Sequence, residues 1–171
     1  MKHLLLLRHA KSAWDKSSLA DIDRPLAARG REAAPRIGRE LAARGWLPDT
    51  VLVSPAQRTR ETWKLLATEL SGHPAPIFID DLYLAPAGRI LATLRQSPKK
   101  TDTLLMIGHN PGIEDLARRL ASDGSDPAAL ARLHEKFPTA ALAHFEFAGA
   151  WTDLDFGHAR LMHFLQPKDL D

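Results

Sequence analysis

Residues 4–7 are four consecutive leucines, and they stop at once against Arg8 and His9. A run so short and so apolar, closed by charge, suits a strand buried on both faces of a sheet. The pattern recurs. Thr50–Val53 runs into Ser54-Pro55, and 103–107 runs into Gly108-His109-Asn110-Pro111-Gly112. Longer stretches with helical periodicity lie between these runs. Leu26, Ala33, Ala34, Ile37 and Leu41 predict an amphipathic helix over about 26–44, with Gly45 as its C-terminal cap. Residues 8–25, rich in Ser, Asp and Lys, read as a loop closed by Pro25.

The rest of the chain continues the alternation. Ser54 as N-cap and Pro55 at the first helical position predict a helix whose apolar side is Trp63, Leu66, Ala67 and Leu70. Gly72 and Pro74 stop it. Residues 77–79 predict a short strand, 87–95 a helix and 113–121 another helix. A loop at 123–126 precedes a short helix. Residues 140–147 alternate, with Leu142, His144 and Glu146 on the more polar face, and a final strand lies near Arg160–Leu165. Alternating strands and helices closed by a hairpin predict an α/β fold. The expected architecture is a three-layer α/β/α sandwich with a mostly parallel, partly antiparallel central sheet, in one domain spanning 1–171.

Composition narrows the function classes. With 44% hydrophobic and 26% charged residues, the chain has an ordinary globular balance. A net charge of +2, from 23 basic and 21 acidic residues, is too even to suggest nucleic-acid binding. Arg29, Arg31, Arg36, Arg39 and Arg44 crowd one segment, which reads as a solvated helix face; Asp153, Asp155, Asp169 and Asp171 collect near the end. The chain has no cysteine, so disulfides and thiolate catalysis are excluded. No apolar run approaches the roughly 20 residues that span a bilayer. The expectation is a cytoplasmic protein that engages neither membrane nor nucleic acid.

Three turns carry the chemistry. Arg8-His9, Ser54 to Thr62 with Arg58, and Gly108-His109-Asn110 each leave the carboxyl end of an expected strand. Parallel α/β sheets gather such ends on one edge, where ligands bind. Two guanidiniums offer forked donors to phosphate oxygens. Two imidazoles add a nucleophile and a further contact. A phosphoryl group is the best fit. Arginines near His9 are expected to lower its pKa and keep it neutral and nucleophilic. No metal or other cofactor is required on this reading. Asp80 and Asp81 follow the third strand, and Asp81 is the candidate proton donor to the leaving group. The remaining histidines show no ligand spacing.

As a set, Leu7-Arg8-His9-Ala10-Lys11-Ser12, Ser54-Pro55-Ala56-Gln57-Arg58-Thr59-Arg60-Glu61-Thr62 and Gly108-His109-Asn110-Pro111-Gly112 resemble the histidine phosphatase superfamily, also called phosphoglycerate mutase-like. The SixA-type phosphohistidine phosphatase branch is the most similar, as Asp23-Arg24-Pro25-Leu26 and Phe137-Pro138-Thr139-Ala140 also suggest. The resemblance implies His9 as the phosphorylated nucleophile, Arg8 and Arg58 as phosphate ligands and His109 as the second pocket histidine. Ser12 and Asn110 are secondary contacts, and Arg60 points away. Ala10 stands where the family usually has glycine, and Asp80-Asp81 where larger members carry a glutamate. At this length there is little room for the substrate-covering insertions of the mutases, so an open site is expected. Phosphohistidine on another protein is the favoured substrate. The alternatives are a small phosphomonoester, or a non-catalytic phosphate-binding module. The sequence leaves the oligomeric state open.

Overall fold

The computed structural model describes residues 1–15 and 18–170; Lys16, Ser17 and Asp171 lie outside the described residues. Six strands form one mixed sheet: β1 (Lys2–Arg8), β2 (Thr50–Val53), β3 (Ile77–Phe78), β4 (Thr103–Gly108), β5 (Leu142–Phe147) and β6 (Arg160–Leu165). Their spatial order is β3-β2-β4-β1-β5-β6. The pairs β1–β4, β2–β4 and β2–β3 are parallel, and β1–β5 and β5–β6 are antiparallel. The expected mixed α/β architecture is the one observed, including the closing pair of strands.

The leucine run is explained by helices on both faces. Leu5 and Leu7 of β1 join Val51, Val53, Leu105 and Ile107 in one core, where helices α1 (Ala28–Arg44) and α2 (Gln57–Ala67) supply Ile37, Leu41, Trp63 and Leu66. Leu4 and Leu6 join Leu52, Leu104 and Met106 in a second core. There the partners include Ile90, Leu94, Ile113, Leu116 and Leu133, from α3 (Ala87–Arg95), α4 (Gly112–Leu120) and α5 (Pro127–Glu135). Successive strand residues point to opposite faces, so a run buried on both faces must be apolar throughout.

Two details differ from expectation. Helix α2 begins at Gln57 behind Ala56, not at Pro55, and no side chain caps it. The supposedly polar face of β5 is mostly covered: Leu142 and His144 are buried and only Glu146 is partly exposed. Trp46, just past the left-handed cap at Gly45, lies 4.3 Å from the His144 ring, between centroids. His144 also contacts His3 and His163 through ring nitrogens at 3.1 Å each. Burial, with His163, His3 and Arg44 nearby, lowers its pKa to about 4. No helix among the described residues is long and apolar enough to cross a membrane.

Close packing fixes the loops at the carboxyl edge of the sheet. Gly112 opens α4 so tightly against the loop before α3 that a Cβ there would lie 1.8 Å from the carbonyl oxygen of Ala85. Gly88, in α3, has open space around the same position. Gly112→Ala should therefore lower the urea-unfolding free energy by about 1–3 kcal/mol. Gly88→Ala should change it by no more than about 1 kcal/mol, towards greater stability. Equal effects of the two substitutions would contradict the packing account.

Candidate active site

Backbone register assembles the site. Arg8 pairs with Gly108 at the ends of β1 and β4, and the His9 amide donates to the Gly108 carbonyl at 3.1 Å. The Ser54 amide donates to the Ile107 carbonyl, also at 3.1 Å. The turns carrying His9, Ser54 and His109 are thereby stitched side by side. A fourth segment closes the group: the amide of Ala140 donates to the carbonyls of Arg8 and His9 at 3.1 and 3.0 Å. Ala140 adopts φ of 61°, an uncommon conformation for a residue with a Cβ. Residue 10 needs no positive φ, so alanine is accommodated there. Its amide donates to Thr62 Oγ1 at 3.0 Å, which ties the turn to α2.

The two imidazoles lie with ring centroids 5.4 Å apart, and both are buried. His9 Nδ1 is 2.7 Å from the Ala10 carbonyl oxygen, an acceptor, so Nδ1 carries the proton and donates it. In the neutral ring this leaves a lone pair on Nε2. Burial lowers the His9 pKa to about 4; the bond to Ala10 opposes this, and Arg58, Arg8 and Arg24 reinforce it. The expected direction is observed, although burial, not the arginines, is the leading cause. His109 has the opposite tautomer. Its Nδ1 accepts from Arg58 Nη2 at 3.3 Å, so Nε2–H donates to Ser54 Oγ at 2.7 Å. Burial lowers its pKa to about 3, with Arg58, His9 and Arg8 acting in the same direction and Asp21 against it.

Arg8 is held by one arm of its guanidinium and Arg58 by both. Arg8 donates through Nη1 to the Phe137 carbonyl at 3.0 Å. Arg58 donates through Nη1 and Nη2 to the carbonyl and carboxylate of Asp21, at 2.8 and 3.0 Å. In both arginines Nε is buried without a hydrogen-bond partner. A buried charged donor left unpaired is costly, which makes these atoms candidates for ligand contact. Among the described residues no group of three or more His, Cys, Asp or Glu side chains is placed to hold a metal ion.

The other expected residues stand further back. Ser12 Oγ accepts from Arg24 Nη1 at 3.1 Å. Asn110 Nδ2 donates to the Phe137 carbonyl and to Glu114, at 3.1 and 3.3 Å, so it braces the segment that Arg8 also grips. Asp80 and Asp81 are exposed on a single turn of 3₁₀ helix, Asp80–Leu82. Arg60 points away and lies over the Phe78 ring.

Three contributors were not anticipated. Ser54 was read as a helix cap, yet its hydroxyl orients His109. Asp21 accepts from Arg58, Arg24 and the Tyr83 hydroxyl. Burial pushes its pKa up, but the hydrogen bonds from Tyr83 and Arg58 prevail and hold it at about 2. Tyr83 stands edge-on to His109, with centroids 5.5 Å apart. The proximity of Asp21 to the Asp-Arg-Pro-Leu stretch was a signal for the first of these two; nothing in the sequence marked Tyr83.

This geometry fixes a titration. Nitrogen-detected NMR at pH 6 should show His9 as the Nδ1–H tautomer and His109 as the Nε2–H tautomer, both neutral. Both have pKa values below the ordinary 6.5, so protonation should begin only on acidification towards about 4 for His9 and about 3 for His109. A midpoint above 6 for either ring would contradict the assignment.

Proteins of known sequence and structure resemble this chain along most of its length. The profile of the histidine phosphatase superfamily (branch 1) matches residues 4–82. An uncharacterized protein of Mycobacterium tuberculosis is 40% identical over 164 residues, covering 95% of this chain and 100% of its own. A candidate phosphohistidine phosphatase SixA from Nakamurella multipartitia superposes with a TM-score of 0.82 at 32% identity, covering 97% of this chain and 96% of its own. A second candidate SixA, from Agrobacterium tumefaciens, gives 0.81 at 29% identity, covering 97% and 98%. On the strength of the profile match, the near full-length identity of 32% to the Nakamurella protein and the common fold, this chain belongs to the histidine phosphatase superfamily, in its SixA-like branch.

Proposed function

We propose that this protein is a metal-independent phosphatase that passes a phosphoryl group through His9, with phosphohistidine on another protein as its substrate. One observation carries the reading. A neutral imidazole, held by the Ala10 carbonyl with Nε2 unprotonated, is buried near two guanidiniums whose Nε atoms lack partners. A binding module would need the guanidiniums but not the oriented nucleophile. The Nakamurella and Agrobacterium proteins, named as candidate phosphohistidine phosphatases, lend the substrate class its support.

The reaction has two displacements. His9 Nε2 attacks phosphorus; an N–P bond forms and the bond from phosphorus to the substrate imidazole breaks. If the departing ring is protonated on its distal nitrogen, it leaves as neutral imidazole and takes no further proton. Water then attacks the phosphohistidine on His9, the N–P bond breaks, and phosphate leaves with His9 neutral again. Arg8 and Arg58 stabilise the charge on the equatorial oxygens in both steps. A bound dianion also favours the protonated form of His109, acting against the burial and the cationic neighbours that keep it neutral, and so makes it a second donor. Asp21 positions Arg58 and is not itself in the path. For an alcohol leaving group a proton is required, and Asp81 is the candidate source.

The test compares a phosphohistidine peptide, a simple phosphoramidate and sugar phosphates, all with chelator present. We expect the phosphohistidine peptide to be hydrolysed fastest, and His9→Ala to lower kcat/KM by a factor on the order of 10³ or more. Arg58→Lys should cost on the order of 10²-fold, because the forked donor is lost. Asp81→Asn should slow sugar phosphates more than the phosphohistidine peptide. Loss of turnover with chelator would overturn the metal-free mechanism, and binding without turnover of any substrate would favour a binding module.

A further inference from the structure

Near the candidate site lies a recess of about 340 Å³, lined among others by Lys11, Arg29, Glu32, Lys136, Thr139 and Lys168. Its walls are shared with the site. Lys11 is two residues beyond His9, and its carbonyl accepts from Ala27 at the foot of α1 at 2.9 Å. The stretch Pro138-Thr139 joins Phe137, whose carbonyl holds Arg8 and Asn110, to Ala140, whose amide holds Arg8 and His9. A ligand seated on this recess therefore abuts the rim of the phosphoryl pocket.

The lining is unbalanced in charge. Lys11, Arg29, Lys136 and Lys168 come from four separate parts of the chain, are all exposed, and face one carboxylate, Glu32. Among the described residues, none of these four cations has an ion-pair partner. Arg36 also lines the recess and donates to the Leu170 carbonyl. Clustered cations that outnumber the carboxylates beside them create a positive potential that attracts anions and steers their approach. The form of the lining separates two kinds of anion. A second phosphate on a small substrate is best held by a few fixed, converging donors. Here the charges sit on long flexible stems spread around an open depression, which matches carboxylates dispersed over a protein surface.

We propose that this recess docks an acidic surface of the phosphohistidine-bearing protein and so selects acidic partners for the adjoining pocket. The proposal rests on the reading of His9 as phosphoryl acceptor and adds to it the chemistry of the partner.

Two phosphohistidine peptides of equal length, one flanked by glutamates and one by glutamines, provide the test. With wild-type protein at low salt, kcat/KM should favour the glutamate peptide by about tenfold, chiefly through KM, as expected for several modest surface ion pairs. The preference should vanish in high salt. It should also vanish in the triple variant Arg29→Gln/Lys136→Gln/Lys168→Gln, with hydrolysis of a simple phosphoramidate unchanged. Equal kcat/KM for the two peptides in wild type would overturn the proposal. So would a hexose bisphosphate that displaces phosphoramidate from wild type far better than from the variant while the peptides are not distinguished; that pattern marks a small-molecule subsite. Fluorescence anisotropy of a dye-labelled, unphosphorylated glutamate peptide tests docking without catalysis. If neither phosphopeptide is hydrolysed but this peptide still binds wild type more tightly than the triple variant, the phosphatase reading fails and the docking surface stands.

Discussion

The His9 amide donates to Gly108 and the Ser54 amide to Ile107, and these two ladder bonds at the ends of β1, β4 and β2 bring the three chemical turns together. Everything in the site hangs on that register. A strand shifted by one residue would turn each terminal side chain to the opposite face. Leu4 to Leu7 resist such a slip poorly by pattern alone, since both faces are apolar. The packing of Gly112 against Ala85, and the bond from Ala10 to Thr62, supply the missing constraint from outside the sheet.

Burial does the electrostatic work. Two imidazoles removed from water beside two guanidiniums cannot readily accept protons, so His9 and His109 are neutral across the physiological range. Neutrality alone would not make a nucleophile. The Ala10 carbonyl fixes the proton of His9 on Nδ1, while Arg58, which can only donate to Nδ1 of His109, leaves the proton of that ring on Nε2, where Ser54 accepts it. The pair thus carries opposite tautomers, with a free lone pair on Nε2 of His9 and the lone pair of His109 on Nδ1 facing Arg58. Asp21 counterbalances Arg58 and keeps its fork aligned without blocking Nε.

Much of this was legible in the sequence because apolar runs and turn residues report local structure directly. The strand-end positions of Arg8, His9, Arg58 and His109 follow from alternation and from the sheet-edge rule. The parts that were not legible depend on contacts between distant segments. Ser54 has the local signature of a helix cap, and only the third dimension shows that His109 claims its hydroxyl. Asp21 lies in a loop 37 residues from Arg58 in sequence, and no periodicity connects them. His144 was placed on a polar face because histidine is polar; Trp46 covers it in the fold. Asp81 followed the third strand as expected, yet its carboxyl is exposed, whereas the carboxylate that reaches Arg58 is Asp21.

The proposed turnover requires a covalent phosphoryl intermediate on Nε2 of His9. Rapid-quench mixing of the protein with a phosphorus-labelled phosphoramidate, followed by digestion under alkaline conditions and mass spectrometry, tests it most directly. Acid-labile, alkali-stable label is expected on the peptide that carries His9, appearing and decaying at rates that match turnover. Label on any other residue, or turnover with no labelled protein at any quench time together with inversion of configuration at phosphorus, would contradict it.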